Sequence, residues 1–219
     1  MQKTSTKTLF EYWNQLRGTR SAPDRRDIDP ARIKSALANT FILELDPNNE
    51  FSFRLAGSHL CSTYVRELKG RSFTRLWHPR DRDALGTLIR AVTEDHAVAL
   101  ITFQGTTPIN TRAAFETILL PIRHNGTTMT RLLGAMTAIE TPYWLGAEPV
   151  MEQRITGLRL IWPDEIGSHT SLSPTHVSFP PEDEAVNETP MPRAMAATVF
   201  GRSARRYAHL AVIDGGRPR

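Results

Sequence analysis

The segment His59-Leu60-Cys61 holds the side chains of this chain that are best suited to chemistry. Histidine and cysteine are good zinc ligands, but a closed zinc site needs four ligands and this segment supplies only two. His78 and His96 follow along the chain, and nothing in their spacing brings them to the same point. We therefore predict no metal site, and we expect Cys61 to be partly buried and His59 to lie on the surface.

The sequence also lacks the motifs that build common catalytic sites. A nucleophilic serine or cysteine needs a base that is held in place by an acid. The segment nearest to a G-x-S-x-G turn, Gly201-Arg202-Ser203-Ala204, lacks the final glycine, and there is no Walker-type loop, H-E-x-x-H or C-x-x-C. A haem would need an axial histidine, for which His96 is the best candidate, but a single histidine after a helix is commonplace. We predict that the chain is not an enzyme, and the sequence identifies no cofactor.

Length and composition limit the remaining classes of protein. The chain has 219 residues, of which 40% are hydrophobic, enough for one medium domain with a core and with extensions. One cysteine excludes an internal disulfide and is typical of a reducing cytoplasm. The polar start Met1–Lys7 lacks a signal-peptide core, and there is no apolar run of about 18 residues that would cross a membrane. We expect a cytoplasmic protein with no membrane association.

Hydrophobic periodicity predicts an α+β fold. Thr8-Leu9-Phe10-Glu11 has the form of a capping box that starts an amphipathic helix, which Gly18 would end. Asp29-Pro30 predicts a short helix to about Ala38, and a longer helix follows over about Arg80–Asp95. Alternating segments predict five antiparallel strands, Thr40–Leu45, Phe51–Leu55, Ala97–Phe103, Ala113–Ile122 and Met129–Ile139, with a further candidate at Arg159–Trp162.

The order of these elements and several short motifs resemble the PAS domain family, in particular a bacterial subfamily of mostly stand-alone single-PAS-domain proteins. The resemblance covers about residues 9–162. It is carried by Leu55-Ala56-Gly57-Ser58-His59-Leu60-Cys61, by Val65–Gly70 with Phe73 and Leu76-Trp77, and by Gly134-Ala135 and Tyr143-Trp144-Leu145-Gly146. It implies a five-stranded antiparallel sheet with short helices and one longer helix on one face. A flavin photosensor of the LOV type would need a cysteine in an Asn-Cys-Arg-Phe context, which Cys61 lacks.

The resemblance also directs attention to a pocket between the sheet and the short helices. Ligand pockets are lined mainly by apolar and aromatic groups with a few polar anchors. The tentative pocket residues are Phe53, Tyr64, Phe73, Trp77, Phe103 and Phe115, and plain core packing is the alternative interpretation of each. Arg54 and Arg66 are candidate anchors for an acidic ligand, with solvated surface arginines as the alternative.

The amino-terminal helix raises the question of self-association. Its apolar face must be covered, either by its own domain or by a second copy of the chain, since PAS domains often pair through a flanking helix. The tentative dimer contacts are Leu9, Phe10, Tyr12, Trp13 and Leu16.

The predicted domain organisation follows from these elements. Residues 1–28 form the amino-terminal helix and a linker, residues 29–162 the PAS-like domain, and residues 163–219 a largely disordered tail rich in proline, serine and threonine. Within this tail, only Ala194–Phe200 and Tyr207–Ile213 are apolar enough for a short ordered element.

These features predict a non-catalytic regulatory protein of the cytosol that senses a small molecule or binds a signalling protein, and that could form a homodimer. The alternative is a pure protein-interaction adaptor that dimerises without a ligand. A nucleic-acid accessory role is a third hypothesis, suggested only by the sequence pI near 9.6. The net charge is only +4 and the basic residues form no continuous stripe, so we do not expect a nucleic-acid partner.

Overall fold

The computed structural model describes Met1, residues 4–124 and 128–162, and Val177–Ser178. Within these residues one antiparallel sheet has seven strands in the order β2-β1-β5-β4-β3-β6-β7. The strands are β1 (Thr40–Leu45), β2 (Phe51–Ala56), β3 (Val98–Thr106), β4 (Arg112–His124), β5 (Thr128–Ala138), β6 (Glu152–Ile161) and β7 (Val177–Ser178). The α+β fold class and the five predicted strands are confirmed, and β6 and β7 extend the sheet beyond β3.

One face of the sheet, here called the inner face, is covered by the helices α2 (Ser58–Thr63) and α3 (Arg82–Glu94) and by short 3-10 turns between them. Leu85, Leu88 and Val92 of α3 are buried in the same cluster as Leu43 of β1 and Ile101 of β3. This inner core is the larger of the two principal cores. The predicted long helix is confirmed within two residues at its start and one at its end.

The opposite, outer face is covered by the amino-terminal helix α1 (Thr4–Arg17), which packs on β4 and β5. Leu9 and Trp13 of α1 are fully buried in an outer core with Ile118 of β4 and Leu133 of β5. The indole Nε1 of Trp13 donates a hydrogen bond of 2.7 Å to the carbonyl oxygen of Pro121. The helix is therefore part of the folded domain, because its apolar face forms one wall of this second core.

Two details of the predicted helices are wrong. The first helix starts at Thr4 rather than at the capping box on Thr8, because Thr6 is buried and its hydroxyl donates to the Glu116 carboxylate on β4. The predicted helix after Asp29 is two 3-10 turns, Pro30–Ile33 and Leu37–Asn39. The predicted cap is nevertheless present, since the Asp29 carboxylate accepts a hydrogen bond of 2.9 Å from the backbone nitrogen of Ala31.

The outer core spans the limit at residue 28 that the sequence predicts between the amino-terminal helix and the domain. Residues 1–28 and 29–162 share the outer core through α1. Of the tail, the structure describes only β7, which pairs with Gly157–Leu158 of β6. The expected disorder of residues 163–219 and the two apolar segments within them lie outside the described residues. No helix of the described part of the chain is long and apolar enough to cross a membrane.

Candidate functional site

The inner core contains a chain of aromatic rings that runs beneath the helices. Successive ring centroids lie 5.0 to 5.8 Å apart in the series Phe41, Phe53, Phe73, Trp77, Phe103 and Phe115. The structure thus places five of the six tentative pocket residues in contact with one another, and the sixth, Tyr64, belongs to the same core. Each is at most 3% exposed. These rings form the apolar interior of the domain.

Backbone contacts place the irregular segment after α2 along the edge strand β2. The carbonyl oxygen of Phe53 accepts from the Gly70 nitrogen at 2.7 Å, and the carbonyl oxygen of Phe51 accepts from the Phe73 nitrogen at 2.8 Å. Gly70 has a φ of +76°, a left-handed conformation that glycine adopts without a steric penalty. This turn sends Phe73 and then Trp77 back into the inner core.

A small polar cluster lies within this aromatic interior. The Gln153 side chain donates from Nε2 to the Tyr64 hydroxyl, which donates to the Met136 sulfur at 3.5 Å. Burial raises the pKa of the Tyr64 phenol, and the Arg66 guanidinium lowers it by less, so Tyr64 stays protonated at neutral pH. Tyr64 can therefore act as a hydrogen-bond donor over the physiological pH range.

Two of the polar atoms that are buried without a hydrogen-bond partner in the described part of the chain belong to uncharged side chains near this cluster. They are Nε1 of Trp77 and Oε1 of Gln153, whose side chains are each 1% exposed. Their backbones meet directly, since Trp77 and Gln153 form a parallel bridge and the His78 nitrogen donates to the Gln153 carbonyl oxygen at 2.9 Å. Native proteins satisfy most buried polar groups, so this donor and this acceptor are positions for an ordered water or a bound polar group.

A groove beside α2 opens on this interior. It has a volume of about 370 Å³ and lies between α2 and the end of β5 with the loop that follows. Phe115 and Met136 line it on the sheet side, His59 and Ser62 on the helix side, and Gly146 on the loop side. Because Met136 also accepts the hydrogen bond from Tyr64, the groove and the polar cluster share this side chain. Of the tentative pocket residues, Phe115 lines the groove.

The residues first considered for chemistry lie at or near the surface. His59 is exposed, and its Nδ1 is 3.3 Å from the Asn39 amide oxygen. Cys61 is half-buried, with its sulfur 3.9 Å from a Glu67 carboxylate oxygen. Among the described residues no three His, Cys, Asp or Glu side chains are grouped so that they could hold a metal ion.

The two candidate anchor arginines have different surroundings. Arg54 is exposed and forms an ion pair of 2.8 Å with Glu44. Arg66 is half-buried, with its guanidinium carbon 6.0 Å from the Tyr64 ring centroid and its Nε buried without a partner in the described residues. Arg66 is therefore the charged group that borders the polar cluster.

The tentative dimer residues divide into two groups. Leu9, Tyr12 and Trp13 are buried against the sheet of their own chain. Phe10 and Leu16 are half-buried and retain exposed surface that a second copy could cover.

The sequence analysis missed Met136 and Gln153. Gln153 had a detectable signal, since it stands two residues before Ile155 and so shares the inward face of a strand. Met136 had a similar signal, because it follows Leu132 and Gly134 at alternate positions of a predicted strand.

A family model described as a PAS domain matches residues 1–137. A comparison with curated proteins finds no match. The light-state LOV domain of the blue-light photoreceptor Aureochrome1 is 16% identical with a TM-score of 0.39, and the alignment covers 53% of this chain and 91% of that one. A PAS domain from Colwellia psychrerythraea is 15% identical with a TM-score of 0.38, covering 50% and 97%. Since the family model matches more than half of the sequence, the chain belongs to the PAS domain family.

Proposed function

We propose that this PAS protein is a non-catalytic regulatory module of the cytoplasm that binds a small molecule between sheet and helices and alters its contact with a signalling protein. The observation that carries this proposal is the groove beside α2, which reaches the aromatic interior at Phe115 and Met136. Its volume of about 370 Å³ falls within the range of small-molecule sites, roughly 300–1,000 Å³.

A short structural route joins this groove to the outer face. Phe115 of β4 lines the groove, and the next residue, Glu116, accepts a hydrogen bond from Thr6 of α1. Adjacent residues of a strand point to opposite faces, so a shift of β4 beneath a ligand also moves the surface on which α1 rests. A ligand changes the state of α1 only by binding one arrangement of β4 more tightly than the other.

The alternative, a dimerising adaptor without a ligand, has less support. Three of the five tentative contacts on α1 are buried within one chain, which leaves Phe10 and Leu16 for a partner. We retain self-association through these two residues as a possible output of the module.

A nucleic-acid role has the least support. Several arginines are paired with carboxylates, as in Arg20 with Asp27 and Arg75 with Glu50, so the basic pI does not translate into a free cationic surface at these positions.

A thermal unfolding experiment tests the proposed function. One sample is used directly after purification, and a second is unfolded in urea, freed of small molecules by dialysis and refolded. We expect the first to unfold at the higher temperature, since a ligand present at about 100 times its Kd stabilises the native state by about 2.7 kcal/mol. Small molecules extracted from the first sample should restore the unfolding temperature of the second.

A matched pair of variants localises the effect. Ala138→Trp places an indole in the groove, whereas Ala31→Trp places the same group at an exposed position away from it. The difference between the two samples should disappear in Ala138→Trp and persist in Ala31→Trp. Equal unfolding temperatures in the unmodified protein, unchanged by the extract, would contradict the proposal.

A further inference from the structure

We propose that the ligand is an uncharged molecule with a hydrogen-bond donor and an acceptor side by side, as in an amide, and that Gln153 and Trp77 bind these two groups. This inference rests on the proposed function and assigns the ligand class of the same site. It also assigns a binding role to β6, which lies beyond the residues 1–137 that match the PAS family model.

Gln153 provides the acceptor. Its amide nitrogen is used by Tyr64, and its Oε1 is buried without a partner in the described residues. An amide oxygen accepts hydrogen bonds, so the group that satisfies it must be a donor. The amide orientation follows from the Tyr64 hydroxyl, which donates to the Met136 sulfur and therefore accepts from the Gln153 nitrogen.

Trp77 provides the donor. An indole Nε1–H can only donate, and that of Trp77 is likewise buried without a partner among the described residues. Leaving such a group unpaired is unfavourable, and a ligand recovers this cost when it supplies the missing acceptor. The parallel bridge between Trp77 and Gln153 places the two residues side by side in the backbone, and we assign the donor and the acceptor of one ligand to this pair.

The surroundings favour an uncharged ligand. The buried side chains that contact Trp77 and Gln153 include Phe73, Phe103 and Tyr64, all of them uncharged. The buried charged side chains of the described residues, Glu116 and Arg17, belong to β4 and α1, where Glu116 bonds to Thr6 beneath α1. An ionised group moved into the aromatic interior would lose its hydration. Of the charged side chains nearby, Arg82 donates to the Trp77 carbonyl oxygen, and Asp81 accepts from the Ile155 nitrogen and pairs with Arg154 at 3.4 Å, so these groups already have partners.

Met136 joins the groove to the polar cluster that contains Gln153, and the proposed ligand enters the interior past this side chain. It lines the groove and contacts the Tyr64 hydroxyl, which is bonded to Gln153. Methionine is unbranched and changes conformation readily, so it can move aside while an apolar ring fills the groove and the polar group enters the interior. The ligand therefore has an apolar body and a donor–acceptor end.

Methyl NMR with three monosubstituted benzenes of nearly equal size and shape tests this assignment. Benzamide carries a donor and an acceptor, acetophenone only an acceptor, and benzoate a negative charge. The protein has six methionines, whose methyl groups can be labelled, and the Met136 resonance can be assigned with Met136→Leu. A fragment of about nine non-hydrogen atoms is expected to bind at about millimolar affinity, so titration of the Met136 resonance yields a Kd.

We expect benzamide to bind about tenfold more tightly than acetophenone, because only benzamide pairs with the Gln153 oxygen, and benzoate to bind most weakly. The resonance of Met151, whose side chain is exposed, should not move. In Gln153→Leu the two neutral compounds should bind within about twofold of each other.

Equal binding of benzamide and acetophenone to the unmodified protein, or strongest binding of benzoate, would overturn the assignment without any variant. The assignment is also overturned if none of the three compounds moves the Met136 resonance. If the freshly purified protein nevertheless carries a stabilising small molecule, the proposed function stands and only the ligand class is wrong. If the freshly purified protein carries no stabilising small molecule, both the proposed function and the assigned ligand class are wrong.

Discussion

Replacing Trp13 with alanine should destabilise the whole domain, because the structure makes α1 part of its core. Trp13 is fully buried between α1 and the outer face of the sheet, and its indole nitrogen is bonded to the Pro121 carbonyl oxygen. Truncating a buried aromatic side chain to alanine costs about 3–5 kcal/mol. A domain of ordinary stability, about 5–15 kcal/mol, should survive this loss but unfold at a much lower urea concentration.

A second substitution separates packing from hydrogen bonding. Trp13→Phe retains most of the apolar contact but removes the hydrogen bond to the Pro121 carbonyl oxygen, which costs about 0.5–1.5 kcal/mol. The control is Lys7→Ala on the exposed side of the same helix, where we expect a change within about 0.5 kcal/mol. Urea denaturation followed by far-ultraviolet circular dichroism gives the free energy of unfolding for all three variants.

Protein concentration distinguishes an intrachain core from a dimer contact. If Trp13 packs within its own chain, the loss measured for Trp13→Ala is the same at low and high protein concentration. A loss below about 1 kcal/mol, or one that appears only at high concentration, would refute the reasoning, since it would show that α1 is stabilised by a second copy.

Three further predictions concern packing, association and pH. Gly134→Ala should destabilise the domain by about 1–3 kcal/mol in urea denaturation, because its methyl group would overlap the Phe41 ring; no loss would contradict this packing. Phe10→Glu should convert a dimer to a monomer in analytical ultracentrifugation if α1 mediates pairing; an unchanged mass would exclude that contact. Burial of Glu44 raises the pKa of its carboxyl group. The hydrogen bonds and positive charges of Arg131 and Arg54 together lower this pKa by more, so it lies below its usual value of 4.5. Its contribution is present above that value and lost as pH falls through the lowered pKa, so Glu44→Gln should be less stable than the unmodified protein at neutral pH, and the difference should shrink as the pH falls below 4.5. A difference between the two that is unchanged by pH would contradict this assignment.

Much of the fold was predictable because β1 is a short apolar segment that ends in a clear turn, and β2 alternates apolar and polar residues. The turn after β1 is an example, since the Asp46 carboxylate accepts hydrogen bonds of 2.9 and 3.0 Å from the nitrogens of Asn48 and Glu50. Local side-chain chemistry closes this hairpin. It therefore appears in the sequence as a cluster of turn residues, and the predicted strand Thr40–Leu45 matches β1 at both ends.

The length of β6 was not predictable from alternation, for an identifiable reason. Its pairing with β3 changes register between Thr102 and Phe103, which leaves Thr156 as an extra residue in β6. Such a bulge reverses the order of inward and outward positions, so Gln153 and Ile155 follow one phase of alternation and Leu158 the other. A sequence pattern that changes phase within one strand resembles a loop, and only the end of β6 was recognised.

The candidate site was predictable in its composition but not in its arrangement. Large aromatic residues are buried in almost any core, so their types alone indicated Trp77 and Phe115. The partnership of Trp77 with Gln153 depends on a bridge between segments that are far apart in the chain, and no local pattern encodes it. The start of α1 was missed for the same reason, since Thr6 is held by Glu116 of β4.

Native mass spectrometry of freshly purified protein, compared with its denatured mass, tests the central claim most directly. We expect an excess mass in the native spectrum that is lost on denaturation, that belongs to an uncharged molecule and that is absent from Ala138→Trp. Identical native and denatured masses for each polypeptide would contradict the claim that this PAS protein binds a small molecule.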